Sequence, residues 1–232
     1  MTDTHGPKLN LIADIALIIL SWGAMLVAIG LVFFYAPQES VMGDVQRIFY
    51  FHVASAWVGF LAFAITALGS AGYLASYQLR WDRLAQASAE IGLTFITAAL
   101  LSGMLWARPV WGVFWTWDPR LTITLVQLLL YLAYLLLRAS IPVAEPRARL
   151  AAIYGAAAFV TVPLSWFAIR WWRTLHPNLL TGGGMAIAPR MQHTLWAALL
   201  AFTLCYLTLL RQRVRLARSA QRIAQLNQGE IQ

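Results

Sequence analysis

Most of the chemistry this chain could carry lies in four histidines and two clusters of tryptophan. Seven of the eleven tryptophans fall in two short stretches, Trp106 to Trp117 and Trp166 to Trp172. The denser stretch reads Trp111-Gly112-Val113-Phe114-Trp115-Thr116-Trp117-Asp118-Pro119-Arg120. Trp111, Phe114, Trp115 and Trp117, with a glycine that permits close backbone approach, predict a flat apolar platform. Asp118 followed by Pro119 reads as a helix start, with Asp at the N-cap and Pro at the first helical position. A rigid helix would then hold the platform at a fixed height, which suits a large planar ligand. A plain aromatic belt is the competing reading, but belts populate both membrane interfaces. Here the opposite interface has little beyond Trp81.

His52 follows Phe49-Tyr50-Phe51, and its helical neighbours at i+3, i+4 and i+7 are Ser55, Ala56 and Gly59, all small. Two readings stay open. His52 is a hydrogen-bonded histidine in a small-residue helix contact, or it is a metal ligand with room beside it for a macrocycle. His176 stands in Trp171-Trp172-Arg173-Thr174-Leu175-His176-Pro177. His193 begins the last apolar run and is a further candidate on the same face. His5 lies near the N-terminus and is given no role. Two imidazoles, an aromatic floor and nearby arginines meet the needs of haem: iron takes imidazole nitrogen axially, and arginines pair with propionate carboxylates in bidentate fashion. The single cysteine, Cys205, permits neither an internal disulfide nor a Cys-x-x-Cys-His attachment site, and it reads as a packing residue.

The elements that must position these residues follow from composition. Hydrophobic residues make up 60% of the 232 and charged residues 11%, well below the charged share of roughly 25% in soluble domains. Six apolar segments stand out, at about 11–36, 48–77, 87–107, 121–141, 151–169 and 191–211. Each approaches or exceeds the about 20 residues that span a bilayer, and inside lipid such runs must be helices. The fold class is therefore an all-α integral membrane protein of six transmembrane helices. The first segment is too long for a cleaved signal peptide and reads as a membrane helix.

The net charge of +8 does not indicate nucleic acid, because the basic residues gather at the ends of apolar segments rather than in one stripe. With both termini inside, the inner connections hold Lys8, Arg80, Arg83, Arg138, Arg147, Arg149, Arg211, Arg213, Arg215, Arg218 and Arg222. The outer ones hold Arg47, Arg108, Arg120, Arg170, Arg173 and Arg190. That asymmetry satisfies the positive-inside rule and turns the tryptophan segment outward. The expected organisation is one six-helix domain over 1–210, with the tryptophan segment at about 108–120, a second outer loop at about 170–190, and a basic cytoplasmic tail over 211–232 lying along the inner leaflet or a partner.

The string Trp111 to Asp118 resembles the tryptophan-rich "WWD" signature of haem-handling membrane proteins in cytochrome c biogenesis. Within that group the chain is most similar to the cytochrome c maturation protein C family. Phe51-His52-Val53 opening helix two, Trp171-Trp172-x-Thr-Leu-His176, the six helices and the length carry the likeness over nearly the whole chain. The resemblance implies non-covalent haem b on the outer, periplasmic side of a bacterial inner membrane, with one histidine on each side of the signature as axial ligand: His52 and His176. The remaining expected contacts are Arg47, Arg108, Trp111, Gly112, Phe114, Trp115, Trp117, Asp118, Arg120, Trp172 and Arg173. It implies presentation of haem to a periplasmic haem chaperone, alongside an ABC ATPase, its membrane subunit and a small single-helix subunit, with no enzymatic activity in this chain. Phe114 stands where some relatives have another tryptophan, which keeps the flat surface and loses an indole donor.

Two other readings compete. A conduit that itself carries haem across the bilayer would need a polar or small-residue path, yet Asp14, Glu90 and Arg138 all sit near the inner ends of their segments. A transmembrane haem b redox enzyme would want histidine pairs at two depths, and only the outer depth has any. No Gly-x-x-x-x-Gly-Lys-Ser/Thr phosphate loop occurs, so an ATPase is a separate chain.

Overall fold

The structure, a computed structural model, describes residues 5–39, 42–177, 180–181 and 184–229. Helix α1 runs His5–Gly30 and widens into a π-turn over Leu31–Tyr35; a 3-10 turn at Asp44–Arg47 leads into α2, Ile48–Ser76. Then follow α3 (Leu79–Trp111), α4 (Pro119–Ser140), α5 (Ala144–Ala158), α6 (Thr161–Trp171) and α7 (Pro189–Gly229). Between α6 and α7 lies a minimal antiparallel hairpin pairing Leu180 with Met185 and Thr181 with Gly184. Six stretches are long and apolar enough to cross a membrane: Leu11–Tyr35, Asp44–Ser76, Leu79–Trp111, Pro119–Ser140, Ala144–Trp171 and Pro189–Ala220. All six expected segments are therefore present, most of them longer than hydropathy alone drew them.

The extension of α3 has a clear cause. Its first turns carry Arg80, Asp82 and Arg83, which hydropathy assigns to a loop, but Asp82 is buried and receives both terminal nitrogens of Arg138 from α4, at 2.6 and 2.9 Å. Gln86 accepts a further bond from Arg138 at 2.8 Å. A buried ion pair persists only with such dense hydrogen bonding. Two similar ties hold α7: Asp14 of α1 receives Arg211 and Arg215, and Glu90 of α3 receives Arg213. Between these ties the core is aromatic. Phe63 of α2 stacks on Tyr131 of α4 with ring centroids 3.5 Å apart, and Tyr134 and Tyr154 continue the cluster. Glycines let α2 and α3 close up: a Cβ on Gly92 would meet Phe63 at 2.8 Å, and one on Gly69 would meet α3 backbone at 3.0 Å.

The fifth span is two helices rather than one. Pro163 has no N–H for the Phe159 carbonyl and would clash with it in a continuous helix, so the chain breaks at Phe159–Val160 and restarts at Thr161. Thr161 Oγ1 donates to the Ala158 carbonyl at 2.7 Å and stitches the break. Below it α5 packs on α2 and α4; above it α6 packs on α4, where the Thr124 and Ser165 hydroxyls lie 3.0 Å apart. The last helix does not end near 211 but continues unbroken to Gly229.

Candidate functional site

Helix α3 ends at Gly112, which adopts φ +78° and bonds its N–H back to the Arg108 carbonyl at 3.0 Å, a left-handed cap that suits glycine. The chain then crosses to Asp118, whose side chain accepts from the Arg120 N–H at 3.0 Å and starts α4 with Pro119 in its first turn. The cap expected of Asp118 is thus present, but it is only part of what the carboxylate does. Asp118 also accepts the Thr174 hydroxyl at 2.8 Å and the Leu175 N–H at 2.8 Å. Thr174 Oγ1 in turn accepts the His176 N–H at 3.0 Å. One buried carboxylate therefore fastens the second outer loop to the tryptophan segment, with His176 at the end of the chain of bonds.

His52 lies one turn into α2. Its Nδ1–H donates to the Ala99 carbonyl of α3 at 2.9 Å, which fixes the tautomer and leaves Nε2 with a free lone pair, the arrangement of a metal-ligating imidazole. His176 Nδ1–H donates to the Pro177 carbonyl at 3.2 Å with the same consequence. The two rings lie with centroids 6.3 Å apart and their planes inclined at 36°. A metal holding two imidazoles head-on, with bonds of about 2 Å, sets ring centroids about 6 Å apart. Burial, aided by the positive charge of Arg120 and by His52, pushes the His176 imidazole down to about 3. It is therefore neutral and able to ligate across the physiological range.

Both histidines line one cavity, which has about 870 Å³ of empty space including its open mouth. Trp106, Trp111, Trp115, Met104, Arg120 and Thr124 share its wall. The indole N–H groups of Trp106 and Trp115 are buried without a hydrogen-bond partner, and leaving a buried donor unpaired costs about 1–3 kcal/mol. The Arg120 guanidinium makes no hydrogen bond or salt bridge among the described residues, and Asp118 acts on it only through space. Unpaired donors and a cation in an otherwise apolar cavity fit a ligand that brings carboxylates. Among the described residues, no group of three or more His, Cys, Asp or Glu could hold a bare metal ion. Two imidazoles suit a metal that arrives with its own equatorial ligands.

Of the expected residues, the cavity gathers His52, His176, Trp111, Trp115 and Arg120. Arg47, Arg108, Gly112, Phe114, Trp117, Asp118, Trp172 and Arg173 lie outside its lining. Arg47 is engaged by Asp44 at 2.9 Å and by the Val32 and Phe33 carbonyls of the π-turn. Arg108 bonds the Gly112 carbonyl and stacks over Phe114 at 5.6 Å. The tryptophans meet edge to face rather than flat: Trp106 with Trp111 and Trp115 with Trp117 both cross at 84°. His193 bonds the Tyr35 hydroxyl at 3.2 Å and is not in the cavity wall.

The room beside His52 has a different source from the one expected. Of its small neighbours on α2 only Ala56 lines the cavity, while Gly59 packs against Ile96. The space comes from Gly103 on α3, where a Cβ would stand 2.9 Å from His52 Cε1. Ala99, Gly103 and Thr174 escaped the reading of the sequence, because nothing local marks a carbonyl, a hydrogen or a hydroxyl as the support of a residue about 50 positions away.

Residues 6–228 match the model of a protein family described as Heme exporter protein C. The chain is 34% identical over 191 residues to Heme exporter protein C of Bradyrhizobium diazoefficiens, covering 78% of this chain and 73% of that one. It is 33% identical over 184 residues to Heme exporter protein C of Escherichia coli K12, covering 79% and 74%. A ccmC-like mitochondrial protein of cytochrome c biosynthesis from Marchantia polymorpha is 32% identical over 167 residues, covering 72% and 71%.

Proposed function

The chain belongs to the Heme exporter protein C family, and we propose that it holds haem between His52 and His176 and presents it to a periplasmic haem chaperone during cytochrome c maturation. The observation that carries this reading is the histidine pair itself: two imidazoles with free Nε2 atoms, their ring centroids 6.3 Å apart, at the wall of one cavity. When bound, haem supplies an iron with two open axial positions and peripheral carboxylates. His52 and His176 would supply the imidazole nitrogens that hold the iron. Trp111 and Trp115 cover the ring, while Arg120 and the indole N–H groups of Trp106 and Trp115 receive a carboxylate in a cavity where such bonds are strong. The chain makes and breaks no covalent bond in this reading. It positions its cargo.

The membrane arrangement belongs to the same proposal. Both termini face the cytoplasm of a bacterial inner membrane, following the lysine and arginine asymmetry, and the cavity opens to the periplasm. The six-helix domain over 1–210 is followed by a basic cytoplasmic stretch, 211–232. An ABC ATPase, its membrane subunit and a small single-helix subunit complete the assembly. Presentation is favoured over conduction because Asp14, Asp82, Glu90 and Arg138 are all tied into ion pairs.

The test is an absorption spectrum of the purified full-length protein. Low-spin, two-histidine haem is expected in the wild type, and its loss in His52→Ala and in His176→Ala. A spectrum unchanged in both variants overturns the ligand assignment.

A further inference from the structure

At the end of the bundle away from the histidines, α7 carries Arg211, Arg215, Arg218 and Arg222. Their spacings of four, three and four residues set them on one helix face. That face borders a cleft whose floor is Leu17 of α1, Leu84 of α3 and Leu207, Leu210 and Val214 of α7. Like charges one turn apart destabilise a helix, so a stripe of four needs an anion. Asp14 answers Arg211 and Arg215. Nothing among the described residues answers Arg218 or Arg222, and Arg83 adds a further positive charge within electrostatic reach of Arg218.

We propose that this cleft is a binding site for an anionic phospholipid, with the phosphate headgroup on Arg218 and Arg222 and an acyl chain along Leu17, Leu84, Leu207 and Leu210. The order of the lining argues for a lipid. Along α7 the cleft is lined first by Leu207 and Leu210 and then, from Arg211 to Arg222, mainly by arginines, which matches the sequence of tail and headgroup along a membrane normal. A free phosphate would use the arginines but has no need of the leucine floor. The bond to the headgroup is the charge-assisted, forked contact that guanidinium makes with phosphate.

Native mass spectrometry of the full-length protein, titrated with phosphatidylglycerol or phosphatidylcholine in detergent, tests the assignment. The wild type is expected to retain phosphatidylglycerol preferentially, and inorganic phosphate at millimolar concentration is expected not to displace it. R218Q/R222Q should lower phosphatidylglycerol affinity about thirtyfold, each arginine near an anionic surface contributing roughly fivefold. R170Q, a charge change at the other end of the bundle, should leave it unaltered. Equal phosphatidylglycerol binding by R218Q/R222Q and wild type overturns the proposal, and so do equal retention of the two lipids and displacement by inorganic phosphate.

Discussion

Asp118 receives the hydroxyl of Thr174 at 2.8 Å across 56 positions of sequence, and through that bond the helix start of α4 dictates where His176 stands. Charge-assisted hydrogen bonds of this kind are worth about 1.5–3 kcal/mol each. Asp118→Ala removes three at once. The variant is expected to bind haem at least about tenfold more weakly, a loss of roughly 1.4 kcal/mol or more, with a spectrum moved toward single-histidine ligation. Thr174→Val should show the same change in milder form. Haem titration followed by absorbance checks both, and wild-type affinity in Asp118→Ala removes Asp118 from any role in placing His176.

Gly103 bears on His52, the other proposed ligand. A methyl group there would stand 2.9 Å from His52 Cε1, and overpacking of this kind costs typically 1–3 kcal/mol. Gly103→Ala is expected to push the imidazole off its bond to Ala99 and to weaken low-spin haem, while membrane insertion is preserved. Gly23→Ala, where a Cβ meets nothing within 4 Å, should leave the spectrum alone. Identical spectra in the two variants would show that His52 needs no such clearance.

The acid behaviour follows from His176. Its folded value lies near 3, below the ordinary value of about 6.5 for an unfolded histidine. Between those values the unfolded chain takes a proton that the folded chain refuses. The contribution of His176 to stability is therefore complete above about pH 6.5 and is lost progressively as pH falls toward 3. Haem binding by the folded protein should stay flat from about pH 8 to pH 5, because no proton competes for Nε2 there. A binding curve with a midpoint near pH 6.5 would contradict the burial of this imidazole.

The Asp82–Arg138 pair sets a fourth expectation, on stability alone. Removing one partner leaves a buried charge without compensation, at a cost of about 3–5 kcal/mol. Asp82→Leu or Arg138→Leu should each lower the thermal midpoint in detergent sharply, and the double substitution should recover much of the loss. Additive losses would show that the pair is solvated enough for its members to act independently.

Hydropathy made the six spans legible because lipid leaves the backbone no other choice, and Asp118-Pro119 marked the start of α4 because a cap is a local signal. The histidines and tryptophans attracted notice by type. What stayed hidden depended on distant partners: the extra turns of α3 rest on Arg138, and the seat of His52 rests on Ala99 and Gly103. Arg47 and Arg108 show the opposite limit. They stand beside the right segments, yet backbone carbonyls and aromatic rings a few positions away already hold them.

The break at Phe159–Val160 separates the support of the two imidazoles. His52 is seated on the α2–α3 pair by Ala99, while His176 hangs from α6 and is fastened to α4 through Asp118. The walls of the cavity thus draw on two helix pairs, α2–α3 and α4–α6, which the segment Trp111–Asp118 joins at the cavity end. Each imidazole rests on its own set of hydrogen bonds, so under the proposed haem assignment one histidine can let go while the other stays seated.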